Sequence, residues 1–257
     1  MSNILAIAHK ELRSYFVSPI AYVFIGFFAL LYGYFFAVSL TFLVRVSMQA
    51  GMGMGGPQTV NINEYMMRPL LGNTAVIMLL VLPLMTMRTY AEEKRSGTIE
   101  LLLSSPLTGV QIIIGKFLGV VTLFTVMLAV TLIHVAILFM YGEPELGPIL
   151  SGYLGLWLMG GAFISIGLLI SSITKNQMVA GMGTFFVLLL LWVISWIGDP
   201  ASGSTTTQLL GYLSILDHFE DFSKGVIDTK HLAYYLSVIT FGLFLTAKSV
   251  ESEQWRG

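Results

Sequence analysis

The sequence predicts an all-α, polytopic membrane protein with six transmembrane helices, on three observations. Of 257 residues, 56% are hydrophobic and only 11% charged, whereas a soluble domain keeps about a quarter of its residues charged. Six apolar stretches follow one another, each near the length of about 20 residues that a hydrocarbon core requires. The charges fall between these stretches and are densest in one segment, 88–111, which reads RTYAEEKRSGTIELLLSSPLTGVQ. The net charge of −1 gives no footprint for nucleic acid. The absence of cysteine excludes disulfides, thiolate metal sites and a cysteine nucleophile.

Residues 1–18 predict an amphipathic helix lying in the membrane plane. At about 100° per residue, Ile4, Leu5, Ala8, Leu12, Tyr15 and Phe16 share one face and His9, Lys10, Arg13 and Ser14 the other. Such a helix turns its apolar side to acyl chains and its basic side to anionic headgroups, with Lys10, Arg13, Tyr15 and Phe16 at the interface. Ser18-Pro19 supplies an elbow. The first residues lack the short apolar core and cleavage site of a signal peptide, so the N-terminus is expected to be retained.

The first span is expected over 20–44, crowded with aromatics (Tyr22, Phe24, Phe27, Phe28 and others) that suit helix packing, lipid contact or the wall of a path. A glycine-rich loop follows, with Met48, Met52 and Met54 as thioethers that suit Cu(I) or simply a flexible tip. Further spans are expected at 70–87, with a kink at Pro83, then at 112–141, 149–173, 178–197 and 231–247, the last being the shortest. The fourth is glycine-rich, which allows close helix approach. With the N-terminus in the cytoplasm, nine of the 13 lysines and arginines lie inside. The positive-inside rule therefore places both termini and the charged segment in the cytoplasm.

That segment has helix-forming composition from Glu92 to Ser105 and a stop at Ser105-Pro106. Ile99, Leu102 and Leu103 share a face, with Glu93, Gly97 and Glu100 largely away from it. Thr108 and Gln111 form a capping box that opens the third span. A short helix between defined stops transmits a push where a floppy linker does not. A solvated connector is the plainer alternative.

The run from Glu93 to Leu107, EKRSGTIELLLSSPL, followed by Gly115-Lys116, resembles the loop between the second and third spans of ABC-2 type transporter permeases. The in-plane N-terminal helix and six spans with both termini inside resemble that family too, so the likeness covers essentially the whole chain as a single transmembrane domain, 1–257. It implies a coupling helix seated in the cleft of a separate cytoplasmic ABC ATPase, present in two copies. The residues that would carry this role are Glu92, Glu93, Arg95, Gly97, Thr98, Ile99, Glu100, Leu102, Leu103 and Pro106. It also implies a second permease half, identical or not, in a bacterial cytoplasmic membrane, with room for an accessory membrane or periplasmic subunit. The stretch 212–228, YLSILDHFEDFSKGVID, resembles the outer segment of the gliding-motility and nitrous-oxide-reductase-maturation permeases, where short re-entrant helices precede the sixth span. There Asp217, His218, Phe219, Glu220, Phe222 and Gly225 are the residues to watch.

Chemistry on this chain is mostly excluded by what its motifs lack. No G-x-x-x-x-G-K-[ST] occurs, so ATP and Mg are expected on the partner and no cofactor on this chain. No H-E-x-x-H or G-x-S-x-G occurs, and a non-catalytic subunit is expected. Asp217, His218, Glu220 and Asp221 do not converge on one helix face, so no metal is expected. His134 lies within the third span, where a neutral imidazole hydrogen-bonded between helices is expected. No carboxylate lies deep in a span, which argues against a proton-coupled carrier. Gly115 and Gly119 suit a close helix contact. The readings left open are a permease coupled to ATP hydrolysis and an ATP-driven mechanical relay acting on an outer protein without moving a substrate.

Overall fold

The computed structural model describes residues 2–52, 60–99, 107–197 and 212–254, and among these every regular element is helical. Helix α1 is Ser2–Val17, and after the Ser18-Pro19 elbow α2 runs Ile20–Gly51. A π-turn, Asn63–Met67, leads into α3, Arg68–Thr86, and the short α4 is Ala91–Ser96. The long helices α5 (Gly109–Tyr141), α6 (Leu146–Ile173) and α7 (Gln177–Ile197) follow. A nine-residue helix α8, Ile215–Ser223, precedes α9, Thr229–Gln254. Six helices are long and apolar enough to cross a membrane: α2, α3 with its flanking turns, α5, α6, α7 and α9.

Local chemistry explains the helix starts. Thr108 Oγ1 accepts the Gln111 N–H while the Gln111 side chain accepts the Thr108 N–H, so the capping box forms as expected. Asn176 Oδ1 takes the N–H groups of Met178 and Val179 at the start of α7. Ser214 does the same for Asp217 at the start of α8. Helix α3 carries a proline in its first turn and passes through Pro83 before ending at Thr86, whose hydroxyl donates to the Leu82 and Pro83 carbonyls.

The core sits on α3 and α6. About two-thirds of the most apolar stretch of α3 is buried (67%) and 72% of that of α6, against 17% for α2 and 22% for both α7 and α9. The two central helices are therefore jacketed by the others, and α2, α7 and α9 keep wide apolar faces bare. On α2 the aromatics divide by period: Phe28, Tyr32 and Phe36 at i, i+4 and i+8 are buried, while Tyr22, Phe27, Tyr34 and Phe42 are exposed. Close approach around α6 uses its small residues; a Cβ at Gly152 would lie 2.4 Å from Leu71 and one at Gly160 would lie 2.2 Å from Phe124.

Several expectations shift. Helix α2 does not end at Val44 but carries Arg45 on to Gly51, and Arg45 is exposed, as a long charged side chain on a helix can be without breaking it. Met48 and Met52 are exposed at its end, and Met54 lies outside the described residues. Helix α9 spans 26 residues, longer than α3 and α7, because Lys248 to Glu253 continue the helix in polar form. His134 does not gain the expected hydrogen bond: its Nδ1 is buried without a partner among the described residues, and the ring sits edge-on to Tyr32 and Phe36. Nearby hydroxyls pair with each other instead, Tyr153 meeting Tyr32 at 3.2 Å and Thr131 at 2.8 Å.

Candidate functional site

Helix α5 contains one lysine and no other lysine, arginine or carboxylate in 33 residues, and α1 contains one carboxylate among its basic residues. The fold brings the two together. Helix α1 lies across the start of α5 on a seam of two glycines: a Cβ at Gly115 would lie 2.6 Å from Ile7 Cβ, and one at Gly119 would lie 2.7 Å from Glu11 Cβ. Only a bare backbone admits this approach, and it confirms the contact expected of the glycine pair. The buried face of α1 is accordingly Ile7, Glu11 and Tyr15. Leu5, expected in the apolar stripe, is exposed, whereas His9, Lys10, Arg13 and Ser14 face outward as expected. Phe16 is half-buried, and the Tyr15 hydroxyl donates to the Met85 carbonyl at 3.0 Å. Burial pushes that phenol well above its usual range, so it stays a donor at any physiological pH.

Lys116 is the centre of the site. Its ammonium, fully buried, donates to Glu11 Oε1 at 2.8 Å and to the Thr89 carbonyl at 2.9 Å, and it pairs with Glu93 Oε1 at 2.8 Å. It also stands 5.0 Å from the Tyr90 ring centroid. Two carboxylates around one cation leave a surplus negative charge, which Lys10 offsets from 3.5 Å beyond Glu93. The buried ammonium is thereby paired, with Glu93 Oε2 left without a partner among the described residues, and taking away one member of such a set costs about 3–5 kcal/mol.

The next residue ties α4 the other way. The Lys94 ammonium contacts the Ser172 carbonyl at the end of α6 and the Glu253 carboxylate at the end of α9. Ser171 Oγ takes the N–H groups of Tyr90 and Ala91, both at 3.1 Å, and donates to the Met87 carbonyl at the same distance. The first N–H donors of α4, which an isolated helix would leave open, thus find their acceptor on another helix. Ser249 Oγ donates to the same Ser172 carbonyl at 3.3 Å.

Helix α4 ends sooner than expected. Gly97 has φ of +69° and closes it after Ser96, a left-handed cap that glycine adopts without strain. The helix expected from Glu92 to Ser105 is therefore broken at Gly97. Glu92, Arg95, Gly97 and Thr98 are exposed, with Glu92 held by Arg88 through two hydrogen bonds of 2.9 and 3.2 Å. Ile99 is buried, and Glu100, Leu102, Leu103 and Pro106 lie outside the described residues. Glu93 turns inward, away from the surface that Glu92 and Arg95 share. A cleft of about 220 Å³ opens beside it, lined by Lys10, Glu11, Tyr15, Arg88, Glu92 and Glu93 among others.

Sequence reasoning missed Glu11, Lys94, Ser171 and Glu253. A signal was present for the first: the lone lysine of an otherwise uncharged span needs a carboxylate once buried, and Glu11 is the one carboxylate of α1. At the other end of the bundle, Phe219 and Phe222 of α8 pack on α6, Asp217 and Glu220 are exposed, and Gly225 turns the chain at φ +93°. Among the described residues no group of three or more histidines or carboxylates is placed to hold a metal ion.

The sequence matches the family described as ABC-2 family transporter protein over residues 5–248. It is 29% identical over 153 residues to the probable multidrug ABC transporter permease YbhR of Escherichia coli, in strain K12 and in O157:H7. That alignment covers 59% of this chain and 41% of the relative's length. With a match that runs almost from end to end and six membrane-spanning helices, the chain belongs to the ABC-2 transporter family, as a multi-pass membrane permease.

Proposed function

We propose that the chain is the transmembrane subunit of a bacterial cytoplasmic-membrane ABC transporter. A separate ATPase docks on α4 and the residues after it, and ATP and Mg are held by that partner. One observation carries this reading. Helix α4 exposes Glu92 and Arg95, and Thr98 is exposed just beyond its Gly97 cap, while its Glu93 and Lys94 are fastened to α1, α5, α6 and α9. A small surface tied to that many spans converts a push from outside into a movement of the bundle. The cationic face of α1 suits an anionic cytoplasmic leaflet, which favours both termini inside. Two ATPases and a second permease half complete the unit, and the bare apolar face of α2 is free to meet that half or lipid. The resemblance of 212–228 to permeases of the gliding-motility and nitrous-oxide-reductase-maturation group favours that subgroup and an accessory outer subunit. Export is the direction proposed, and the description of the E. coli relative as a probable multidrug ABC transporter permease favours transport as the work done.

The test is mild-detergent purification of the chain from its native membrane, with identification of what accompanies it. The expected result is a P-loop ATPase whose recovery falls in an Arg95→Glu, Thr98→Glu variant. Recovery of the chain with no ATPase, and activity independent of ATP, would refute the reading. A complex that hydrolyses ATP and binds an outer protein without moving any solute would replace the permease with a mechanical relay.

A further inference from the structure

At the end of the bundle opposite α4, helix α8 is joined to the start of α9 by a line of four groups. His218 Nε2 lies 3.2 Å from the Tyr212 carbonyl oxygen, the Nδ1 atoms of His218 and His231 are 2.7 Å apart, and His231 Nε2 is 2.8 Å from Asp221 Oδ2. Carbonyl and carboxylate oxygens only accept, so each must receive a proton from the ring nitrogen that faces it. That places a proton on Nε2 of both rings. Two neutral imidazoles then have no proton left, and bare lone pairs would face each other across 2.7 Å. One additional proton on either Nδ1 turns this contact into a hydrogen bond. The three contacts together therefore require three protons on four ring nitrogens.

We infer that His218 and His231 hold this one shared proton, and that it latches α8 onto α9 within a limited range of pH. Both rings are buried, at 8% and 4% exposure, so water does not substitute for the contact. The Asp221 carboxylate beside His231 compensates the added charge. Lys224 and Lys230, each 4.0 Å from Asp221, oppose it, and Asp217, Glu220 and Asp228 lie on the same two segments. Tyr234 covers the His218 ring at 3.8 Å between centroids, with Tyr235 at 6.5 Å. The remaining elements that pack on α8 add little charge: α6 and α7 carry no lysine, arginine, histidine or carboxylate, and α3 only Arg68.

The latch opens in both directions. When the shared proton leaves, two lone pairs oppose each other. When a second one arrives, two N–H groups do. For the second case the sign is clear: burial pushes the docked His218 below the ordinary imidazole range, with the neighbouring His231 and Lys230 adding to this against the Tyr212 carbonyl and Asp221. A free His218 binds a proton more readily, so acid favours the undocked segment. On this acid side the latch weakens as the pH falls from the ordinary imidazole range toward the lowered value, while loss of the shared proton sets its alkaline limit. Tyr234 and Tyr235 donate to the Leu213 and Ile215 carbonyls at 2.9 and 2.8 Å, further contacts between α9 and the start of α8.

The chain has four histidines, so histidine labelled with nitrogen-15 in the full chain in bilayers gives a readable spectrum. His9→Gln and His134→Gln variants, both outside the pair, identify its two signals by elimination. At about pH 7 the expected result is one ring protonated on both nitrogens and coupled to the other through a shared proton. Two neutral rings at that pH would overturn the inference. The absence of native cysteine permits a spin label at Leu213→Cys as a second measurement. Its mobile fraction is expected to rise severalfold between about pH 7 and pH 5, and to show no such rise in His231→Gln. A label that ignores pH in the unaltered pair, or a rise that persists in His231→Gln, would also overturn it.

Discussion

Glu93 and Lys94 are neighbours in the chain, yet their side chains bind opposite sides of the bundle. Glu93 joins Lys116 and, through it, Glu11 of α1, while Lys94 joins the ends of α6 and α9. A single turn of helix thereby bridges α1 and the spans, and the consequences of cutting either side are separable.

Lys116→Ala should leave Glu11 and Glu93 buried without their cation. A loss of about 3–5 kcal/mol is expected, read as a lowered unfolding temperature in detergent. Replacing all three together, with Lys116→Met, Glu11→Leu and Glu93→Leu, should return most of that stability, because apolar packing removes the desolvation cost. A triple variant as unstable as the single one would contradict this.

Gly119→Leu tests the seat of α1. The added side chain begins 2.7 Å from Glu11 Cβ and 3.2 Å from the Ala8 carbonyl oxygen, so α1 must lift away. Ile7, buried in the parent, should become accessible: the labelling rate of Ile7→Cys by a maleimide should rise at least about tenfold. An unchanged rate would show that α1 is held by something other than the glycine seam.

Ser171→Ala removes the acceptor for two N–H groups of α4 and should cost about 1–3 kcal/mol locally. Faster hydrogen exchange at Tyr90 and Ala91, with the α5 amides unaffected, is the expected signature.

Gly97→Ala places a side chain where no atom of the described residues lies within 4 Å of its Cβ, so among these only the left-handed backbone resists it. The cost expected is about 1–2 kcal/mol. Binding of the proposed ATPase should weaken alongside, because the chain after Ser96 would leave α4 in a different direction.

Much of this architecture was legible because it is local. The Thr108–Gln111 capping box is written in residues three apart, and the glycines at 115 and 119 announce a close neighbour without naming it. The neighbour itself, Glu11, is 105 residues from Lys116, and no periodicity links them. Helix α1 shows the difference most clearly. Its stripe from Ile4 to Phe16 predicts an amphipathic helix, but the face it buries is set by the groove on α5, which selects Ile7, Glu11 and Tyr15. Composition from Glu92 to Ser105 reads as continuous helix, and one glycine in the left-handed region ends it at Ser96. Inside the membrane, His134 was expected to find a polar partner, yet its neighbours are the ring edges of Tyr32 and Phe36.

The central claim is that α4 passes motion to α1 through Glu93 and Lys116. Spin labels at Leu5→Cys on α1 and Ser252→Cys on α9, both exposed in the structure, report it directly in the complex with the proposed ATPase. The distance between them should change when ATP is added, and the change should vanish in the triple apolar variant while ATP hydrolysis continues. An equal, ATP-dependent change in that variant would contradict the account.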